Sequence, residues 1–229
     1  IVNYEVIGRS DEQILAQFTE DASKLSVEEL LYGGNVLVQD AATRKQWYEK
    51  TTKLYPNDYR AYNNLAQMAI MEGNTTVAQN WLQKAKNVNA KAPEVNANLA
   101  ILALKSGDVA KAEVLMGQAS GSDTYNEILG NLNIAKGNYT QAQKNLSNTT
   151  TNSAALAQIL NKDYNAAKKT LAAIKTPDAT TIYLKAVVAA RTNDTAAVKA
   201  NLKAAITSDS SLKARAANDI EFANYKNDI

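Results

Sequence analysis

The fold is decided by the stretch LAQMAIMEGNTTVAQNWLQKA at residues 65–85, which recurs as LAILALKSGDVAKAEVLMGQA at residues 99–119. The identities that lie 34 residues apart in the ungapped alignment include Leu65/Leu99, Ala66/Ala100, Gly73/Gly107, Ala78/Ala112 and Ala85/Ala119. A third stretch, LGNLNIAKGNYTQAQKNL at residues 129–146, keeps the same internal spacings. Self-similarity at such a period is the signature of a repeat protein.

Each copy has the pattern of two antiparallel helices joined by a short turn, because apolar residues recur every three or four positions from about Ser26 onward. A close helix crossing needs small residues on both helices, and a left-handed glycine can end the first helix. The predicted crossing residues are Ala66, Ala100 and Gly130 on first helices, facing Ala78, Ala112 and Ala142 on second helices. The predicted helix ends are Gly73, Gly107 and Gly137.

Weaker copies flank the clear ones and predict about six helix pairs. The equivalent turn positions are Gln39, Gly73, Gly107, Gly137, Lys162 and Asn193, at spacings of 34, 34, 30, 25 and 31 residues. The spacings predict that helices are shortened in repeats four to six. A last helix is expected to cover the end of the array with an apolar stripe of Leu212, Ala216, Ile220 and Phe222 to Tyr225.

This spacing of small and large residues resembles the tetratricopeptide repeat. The resemblance implies an all-α fold, a right-handed superhelical solenoid of about six helix pairs plus a C-terminal capping helix, over residues 26–229. Residues 1–25 are expected to be a lead-in segment that ends a preceding domain. Val2, Tyr4 and Val6 alternate with polar residues as in a short strand, with a loose lead-in helix as the alternative. Because the chain begins at Ile1, we expect a processed protein or an excised fragment.

Composition removes most enzyme chemistries, since the chain has no Cys and no His. Thiol nucleophiles, His-dependent triads and Cys/His metal sites are therefore excluded, and we expect no enzyme, no cofactor and no metal. A formal net charge of +2 makes nucleic acid a poor partner. The sequence contains no run of about 18 apolar residues, so we expect no membrane insertion of this fragment.

A tetratricopeptide solenoid binds ligands in a concave groove lined by its first helices. Transfer of those positions onto this sequence predicts a partner-binding set of Asn63, Gln67, Asn98, Ile101, Glu127 and Asn131. The amides could hydrogen-bond the backbone of an extended peptide or a sugar, or they could simply be soluble residues on exposed helix faces. Because both residues are expected to be exposed, Asn63→Asp with Asn98→Asp should weaken capture of the partner and leave the melting curve nearly intact. A clamp for a terminal carboxylate needs several basic groove residues. Only Arg60 and Lys105 qualify, so the sequence does not predict such a clamp.

The runs GRSDEQILAQFTEDASKLSVEELLYGG, PNDYRAYNNLA and AALAQILNKDYNAAKKTL are similar to the repeat region of Bacteroidetes envelope proteins that join such repeats to an OmpA-like module. That similarity implies a periplasmic or outer-membrane location, and proximity to peptidoglycan through a flanking module. The function expected is a protein or peptide interaction scaffold, with a structural envelope element that contacts peptidoglycan or glycan as the alternative. Aromatic residues concentrate in the first two repeats. They could belong to the core, or some of them could form an exposed patch that anchors a partner.

Overall fold

The computed structural model describes residues 8–228, which contain helices and connecting loops and no strand. The expected strand from Val2 to Val6 lies outside the described residues. The chain divides into two compact units, Ile1–Tyr125 and Asn126–Ile229.

The first unit contains seven α-helices and two short helical turns within its described residues. The α-helices are α1 (Asp11–Asp21), α2 (Val27–Tyr32), α3 (Ala41–Leu54), α4 (Tyr59–Met71), α5 (Thr75–Val88), α6 (Pro93–Lys105) and α7 (Val109–Met116). A 3-10 turn (Ala22–Lys24) follows α1, and a π-helical turn (Gly33–Leu37) follows α2. Helices α4 and α5 pack as one pair and α6 and α7 as the next, while α2 and the π-helical turn pack on α3.

The second unit continues the same construction. Its helices are α8 (Tyr125–Ala135), α9 (Tyr139–Asn145), α10 (Asn152–Leu160), α11 (Tyr164–Ala173), α12 (Ala179–Arg191), α13 (Thr195–Ser208) and α14 (Leu212–Asn218), followed by a 3-10 segment (Ile220–Asp228). Helices α10 and α11 form one pair, and α12 and α13 another. Six helix pairs and a C-terminal helical segment confirm the expected all-α repeat fold.

Five turns between paired helices have one geometry, which explains the recurring glycine. Gly73, Gly107 and Gly137 have φ of 76, 78 and 77°, and Lys162 and Asn193 take the same left-handed conformation at 64 and 58°. The residue after each caps the second helix, and its backbone N–H bonds to the carbonyl five residues before it, as from Asn74 N to Ala69 O at 2.8 Å. This is the bond of a glycine-type C-cap, and it confirms these turn positions, including the two without glycine.

We expect Lys162→Gly to raise the free energy of unfolding by about 1 kcal/mol, because a side chain in the left-handed region crowds its own backbone and glycine does not. Urea denaturation followed by circular dichroism at 222 nm measures the change. Lys169→Gly, at an exposed position inside α11, should instead destabilise by about 1 kcal/mol. A destabilised Lys162→Gly variant would contradict the left-handed assignment.

The predicted crossing residues are confirmed. Ala66, Ala78, Ala100, Ala112 and Ala142 are all fully buried. Gly130 is buried as well, and a Cβ built there would lie 2.4 Å from Leu146 Cγ. The helices therefore approach closely enough that each crossing has room for no more than a methyl group.

The first pair departs from the pattern, and the prediction of a turn equivalent at Gln39 is wrong. Its first helix widens into the π-helical turn and ends at Val38 in extended conformation, with φ of −96°. Gly33 and Gly34 lie within this turn, where the ring of Trp47 fills the space beside Gly33. The crossing of the first pair therefore contains the ring of Trp47 and not a small residue. Gly33 and Gly34 leave space for the ring because glycine has no Cβ.

Helix α1 shares a core with the first pair. Ile14, Leu25, Leu30 and Trp47 belong to one buried cluster. Phe18 stacks on Trp47 with ring centroids 3.8 Å apart. The assignment of residues 1–25 to the end of a preceding domain stays a prediction.

Helix shortening differs from the expected distribution. It begins earlier, in α7, which has 8 residues where α5 has 14. Helix α9 has 7 residues, but α12 and α13 are full-length at 13 and 14. The reduced spacing between Lys162 and Asn193 therefore comes from α11, which has 10 residues, and the prediction that the sixth pair is shortened is wrong.

The C-terminal apolar stripe is confirmed in part. Leu212, Ala216 and Phe222 are buried, but Ile220 is 86% exposed. The reason is that α14 ends before Asp219, whose backbone is extended, so the following 3-10 segment begins in a new direction. Asp219 accepts a hydrogen bond from Tyr183 Oη at 2.6 Å, and this half-buried contact helps hold the segment on α12.

Candidate functional site

The candidate site is a pair of adjoining pockets in the first unit, about 380 and 350 Å³ in volume, which we call the α4 groove. The pockets share Asn35 and Asn64. The first pocket is also lined by Glu28, Leu31, Tyr32, Val36, Tyr59, Arg60, Asn63 and Glu94. The second is also lined by Arg44, Tyr48, Gln67, Met68 and Met71.

First helices of three successive pairs supply most of the lining, because α2 with its π-helical turn, α4 and α6 all contribute to the first pocket. Helix α4 is the central element. The side chain of Asp58 caps its N-terminus by accepting a hydrogen bond from Arg60 N at 2.9 Å. This cap sets the residue at which α4 begins. The groove therefore lies on first helices, which the resemblance to the tetratricopeptide repeat predicts to bind ligands.

Arg60 is held by two carboxylates. Its Nη2 lies 2.7 Å from Asp58 Oδ2 and 2.7 Å from Glu28 Oε1, and its Nη1 lies 3.0 Å from Glu28 Oε2. The hydrogen bonds from Arg60 lower the pKa of Glu28. Burial alone would raise the pKa of Asp58, but the hydrogen bonds and charge of Arg60 lower it on balance. Both carboxylates raise the pKa of Arg60 in turn, so the cluster stays fully ionised at neutral pH.

Two tyrosines at the rim donate to carboxylates. Tyr59 Oη donates to Glu94 Oε2 at 3.3 Å, and Tyr32 Oη donates to Asp11 Oδ1 at 3.1 Å. Burial raises the pKa of Tyr59, and the neighbouring charge of Glu94 raises it further. The hydrogen bond to Asp11 is the main cause that raises the pKa of Tyr32. Both phenols therefore stay protonated and serve as donors.

Amide contacts join the two pockets. Asn35 Oδ1 accepts from Tyr48 Oη at 2.6 Å and from Asn64 Nδ2 at 3.2 Å. One repeat further along, Asn98 Nδ2 donates to Asn63 Oδ1 at 2.9 Å. The bond between Asn35 and Tyr48 lies within the first pair. The bonds from Asn64 to Asn35 and from Asn98 to Asn63 each connect the first helical segments of neighbouring pairs.

The expected exposure of Asn63 and Asn98 is wrong. They are 8% and 7% exposed, and they use each other as hydrogen-bond partners. The physical reason is that the neighbouring first helices α4 and α6 pack against each other and enclose both amides between them. Asn63 still lines the first pocket, whereas Asn98 does not line the α4 groove.

The remaining predicted site residues differ in position. Gln67 is exposed and lines the second pocket. Ile101, on α6, is half-buried outside the α4 groove. Exposed Glu127 and half-buried Asn131 lie on α8 in the second unit. Their role in partner binding stays a prediction.

Several groove residues were not predicted from the sequence. They include Glu28, Tyr32, Asn35, Val36 and Tyr59. Arg60 and Glu94, by contrast, occupy the same position of consecutive repeats, 34 residues apart, and the resemblance to the tetratricopeptide repeat assigns that position to the groove. The aromatic residues include both core and exposed side chains. Trp47 and Tyr48 are in the core, whereas Tyr32 is 40% exposed at the groove.

Within residues 8–228, no cluster of three acidic residues has the arrangement of a metal site. None of the helices in that range combines the length and the hydropathy needed to cross a bilayer.

Comparison with known proteins rests on structure. No family model matches the sequence, and no curated protein matches it. A tetratricopeptide repeat protein from Parabacteroides merdae is similar in fold, with a TM-score of 0.59 and 14% identity over 87% of this chain and 85% of that one. PilF of Pseudomonas aeruginosa matches with a TM-score of 0.53 and 15% identity over 96% of each chain.

Two further structures are similar at the same low identity. PilW, a type IV pilus biogenesis factor, has a TM-score of 0.51 and 15% identity over 93% of this chain and 95% of its own. The Cut9–Hcn1 structure has a TM-score of 0.66 and 15% identity, but this chain spans 44% of the matched chain. At these identities the likeness establishes the tetratricopeptide-like fold, and the function is a separate question.

Proposed function

We propose that this chain is a non-enzymatic scaffold that binds a protein or an extended peptide in the α4 groove, and that it works in the bacterial cell envelope. The observation that carries the proposal is the groove itself. Three successive first helices converge on it, and its two pockets adjoin at Asn35 and Asn64, whose amides can bond a peptide backbone. Asn63, Gln67 and Glu94 line it at positions that the resemblance to the tetratricopeptide repeat assigns to ligand contact.

The charges of the groove favour binding over catalysis. Glu28 and Asp58 are held ionised by Arg60, so neither is a protonated acid at neutral pH. General acid catalysis by a carboxyl group needs a raised pKa, and here the pKa values of both groups are lowered. The cluster is therefore better suited to fix the shape and charge of a binding surface.

The envelope location rests on two supports. The sequence is similar to repeat regions of Bacteroidetes envelope proteins, and a structural neighbour, PilW, is a type IV pilus biogenesis factor. Asn98 and Ile101 in the first unit, and separately Glu127 and Asn131 in the second unit, remain predicted partner contacts outside the α4 groove. A structural element that contacts peptidoglycan or glycan is the alternative.

A capture experiment tests the scaffold. The immobilised chain is expected to retain a defined protein from a bacterial envelope extract, identified by mass spectrometry. The double variant Tyr32→Ala/Asn64→Ala removes side chains of the groove and should reduce capture at least fivefold. Lys84→Glu, on the exposed side of α5 beside Trp81, serves as the control and should capture as well as the original chain.

Three outcomes contradict parts of the proposal. Equal capture by the Tyr32→Ala/Asn64→Ala variant would place the binding surface elsewhere. Sedimentation with purified peptidoglycan, without a protein partner, would favour the structural alternative. Turnover of an envelope substrate would overturn the non-enzymatic assignment.

A further inference from the structure

The first pocket of the α4 groove carries a net negative charge. Among the described residues that line it, Arg60 is the one cation, and three carboxylates surround or line the pocket, those of Glu28, Asp58 and Glu94. One positive charge against three negative charges leaves two negative charges in excess. Because the Arg60 guanidinium already bonds both Glu28 and Asp58, it has little capacity left to attract an anion.

Glu94 retains the capacity to bind a cation. It lies exposed at the pocket edge, and its one hydrogen bond in the described part of the chain comes from Tyr59 at the long distance of 3.3 Å. A carboxylate accepts about four hydrogen bonds, so most of its capacity faces the pocket and solvent. Glu28 on the opposite side is also largely exposed, and its charge reinforces that of Glu94.

A polar side chain in the pocket wall offers a donor to a ligand. Asn63 is more than nine-tenths buried as a residue, and its Oδ1 accepts from Asn98. Its Nδ2 donates to no group among residues 8–228 and stays accessible to solvent, and Asn63 lines the pocket. A carbonyl oxygen of a ligand in the pocket can therefore accept from this N–H in place of water.

The rim of the pocket offers apolar surface beside the charges. Tyr32 is 40% exposed and Val36 is 51% exposed. Lysine and arginine pack their aliphatic stems on such surface while their charged ends reach carboxylates, and a cation also gains from the face of a tyrosine ring.

We infer that the first pocket selects a peptide segment through a lysine or arginine side chain, which lies along Tyr32 and Val36 and pairs with Glu94 and Glu28. The peptide carbonyl next to that side chain accepts from Asn63 Nδ2, and the amides of Asn35 and Asn64 bond the backbone as it enters the second pocket. This inference rests on the proposed scaffold function and adds the charge class of the ligand.

Selection from a random peptide display library tests the inference. We expect peptides retained by the full chain to be enriched in lysine or arginine at one position. The enrichment should disappear with Glu28→Gln/Glu94→Gln and persist with Glu72→Gln, which removes an exposed carboxylate outside the groove. For one purified peptide, Glu94→Gln should weaken binding about fivefold, and 0.5 M NaCl should weaken it further.

The outcomes separate the inference from the scaffold function. Retained peptides without a basic position, or an enrichment that survives Glu28→Gln/Glu94→Gln, would overturn the inference and leave the scaffold function intact. Retention of no peptide, together with no captured protein, would overturn both. Displacement of a retained basic peptide by an equal concentration of putrescine would reassign the pocket to a free amine.

Discussion

Gly33→Ala is expected to lower the free energy of unfolding of the first unit by about 3 kcal/mol, at the upper end of the usual cost of overpacking. The added Cβ would lie 2.0 Å from Trp47 Cζ3 and 2.5 Å from Cη2. The ring has little room to retreat, since Trp47 is 2% exposed and stacks on Phe18. Relief therefore requires movement of α1 or α3.

Tryptophan fluorescence during urea denaturation measures this loss, because both tryptophans of the chain, Trp47 and Trp81, lie in the first unit. Gly8→Ala is the matched control, since a Cβ there meets nothing within 4 Å, and it should change stability by less than about 0.5 kcal/mol. Gly33→Ala combined with Trp47→Leu should cost less than the sum of the two single changes. An unaltered melt of Gly33→Ala would mean that Trp47 does not pack on the π-helical turn.

Turn positions could be predicted from the sequence because their geometry is local. A first helix ends in a left-handed residue followed by Asn or Asp, and this two-residue pattern recurs at offsets that can be counted. The offset identified Lys162 and Asn193 even without glycine. It failed at Gln39, because the contact between Gly33 and Trp47 there determines where the helix ends.

The position of the groove was also predictable, but its chemistry was not. The resemblance to the tetratricopeptide repeat predicted that Arg60 and Asn63 lie on a groove-lining helix, and both line the first pocket. Whether Asn63 is exposed depends on how closely α4 approaches α6, and no periodicity encodes that distance. The charge of the pocket likewise depends on Glu28 and Arg60, which lie 32 residues apart in sequence and meet only after the repeats stack.

The buried amide pair leads to the second large prediction. We expect the double variant Asn63→Asp/Asn98→Asp to lose about 4 kcal/mol of unfolding free energy at pH 7, because two buried carboxylates in contact lack a compensating cation. In the original chain Asn98 Nδ2 donates to Asn63 Oδ1, whereas two ionised carboxylates have no proton to share. The earlier expectation of an intact melting curve is thus reversed by the burial of both residues.

The pH dependence of this variant gives a sharper test. Burial and like charge raise the pKa of an aspartate at this site in the folded state above its unfolded value of about 3.9. Folding then takes up a proton, so the stability of the variant relative to the original chain rises as pH falls through the raised folded-state pKa. Once one carboxyl is protonated it can donate to the other, and most of the deficit should be recovered near pH 4.5.

Asn80→Asp/Asn87→Asp is the charge-matched control. Both asparagines are exposed on α5, so the same change in net charge should cost within about 0.5 kcal/mol at each position and show no recovery at low pH. Fluorescence-monitored urea denaturation at pH 7 and pH 4.5 compares the two variants. Equal stability of the two at pH 7 would contradict the enclosed pair between α4 and α6. If the predicted loss is observed, reduced partner capture by Asn63→Asp/Asn98→Asp reports unfolding of the groove, and the binding surface has to be mapped with exposed residues such as Tyr32 and Glu94.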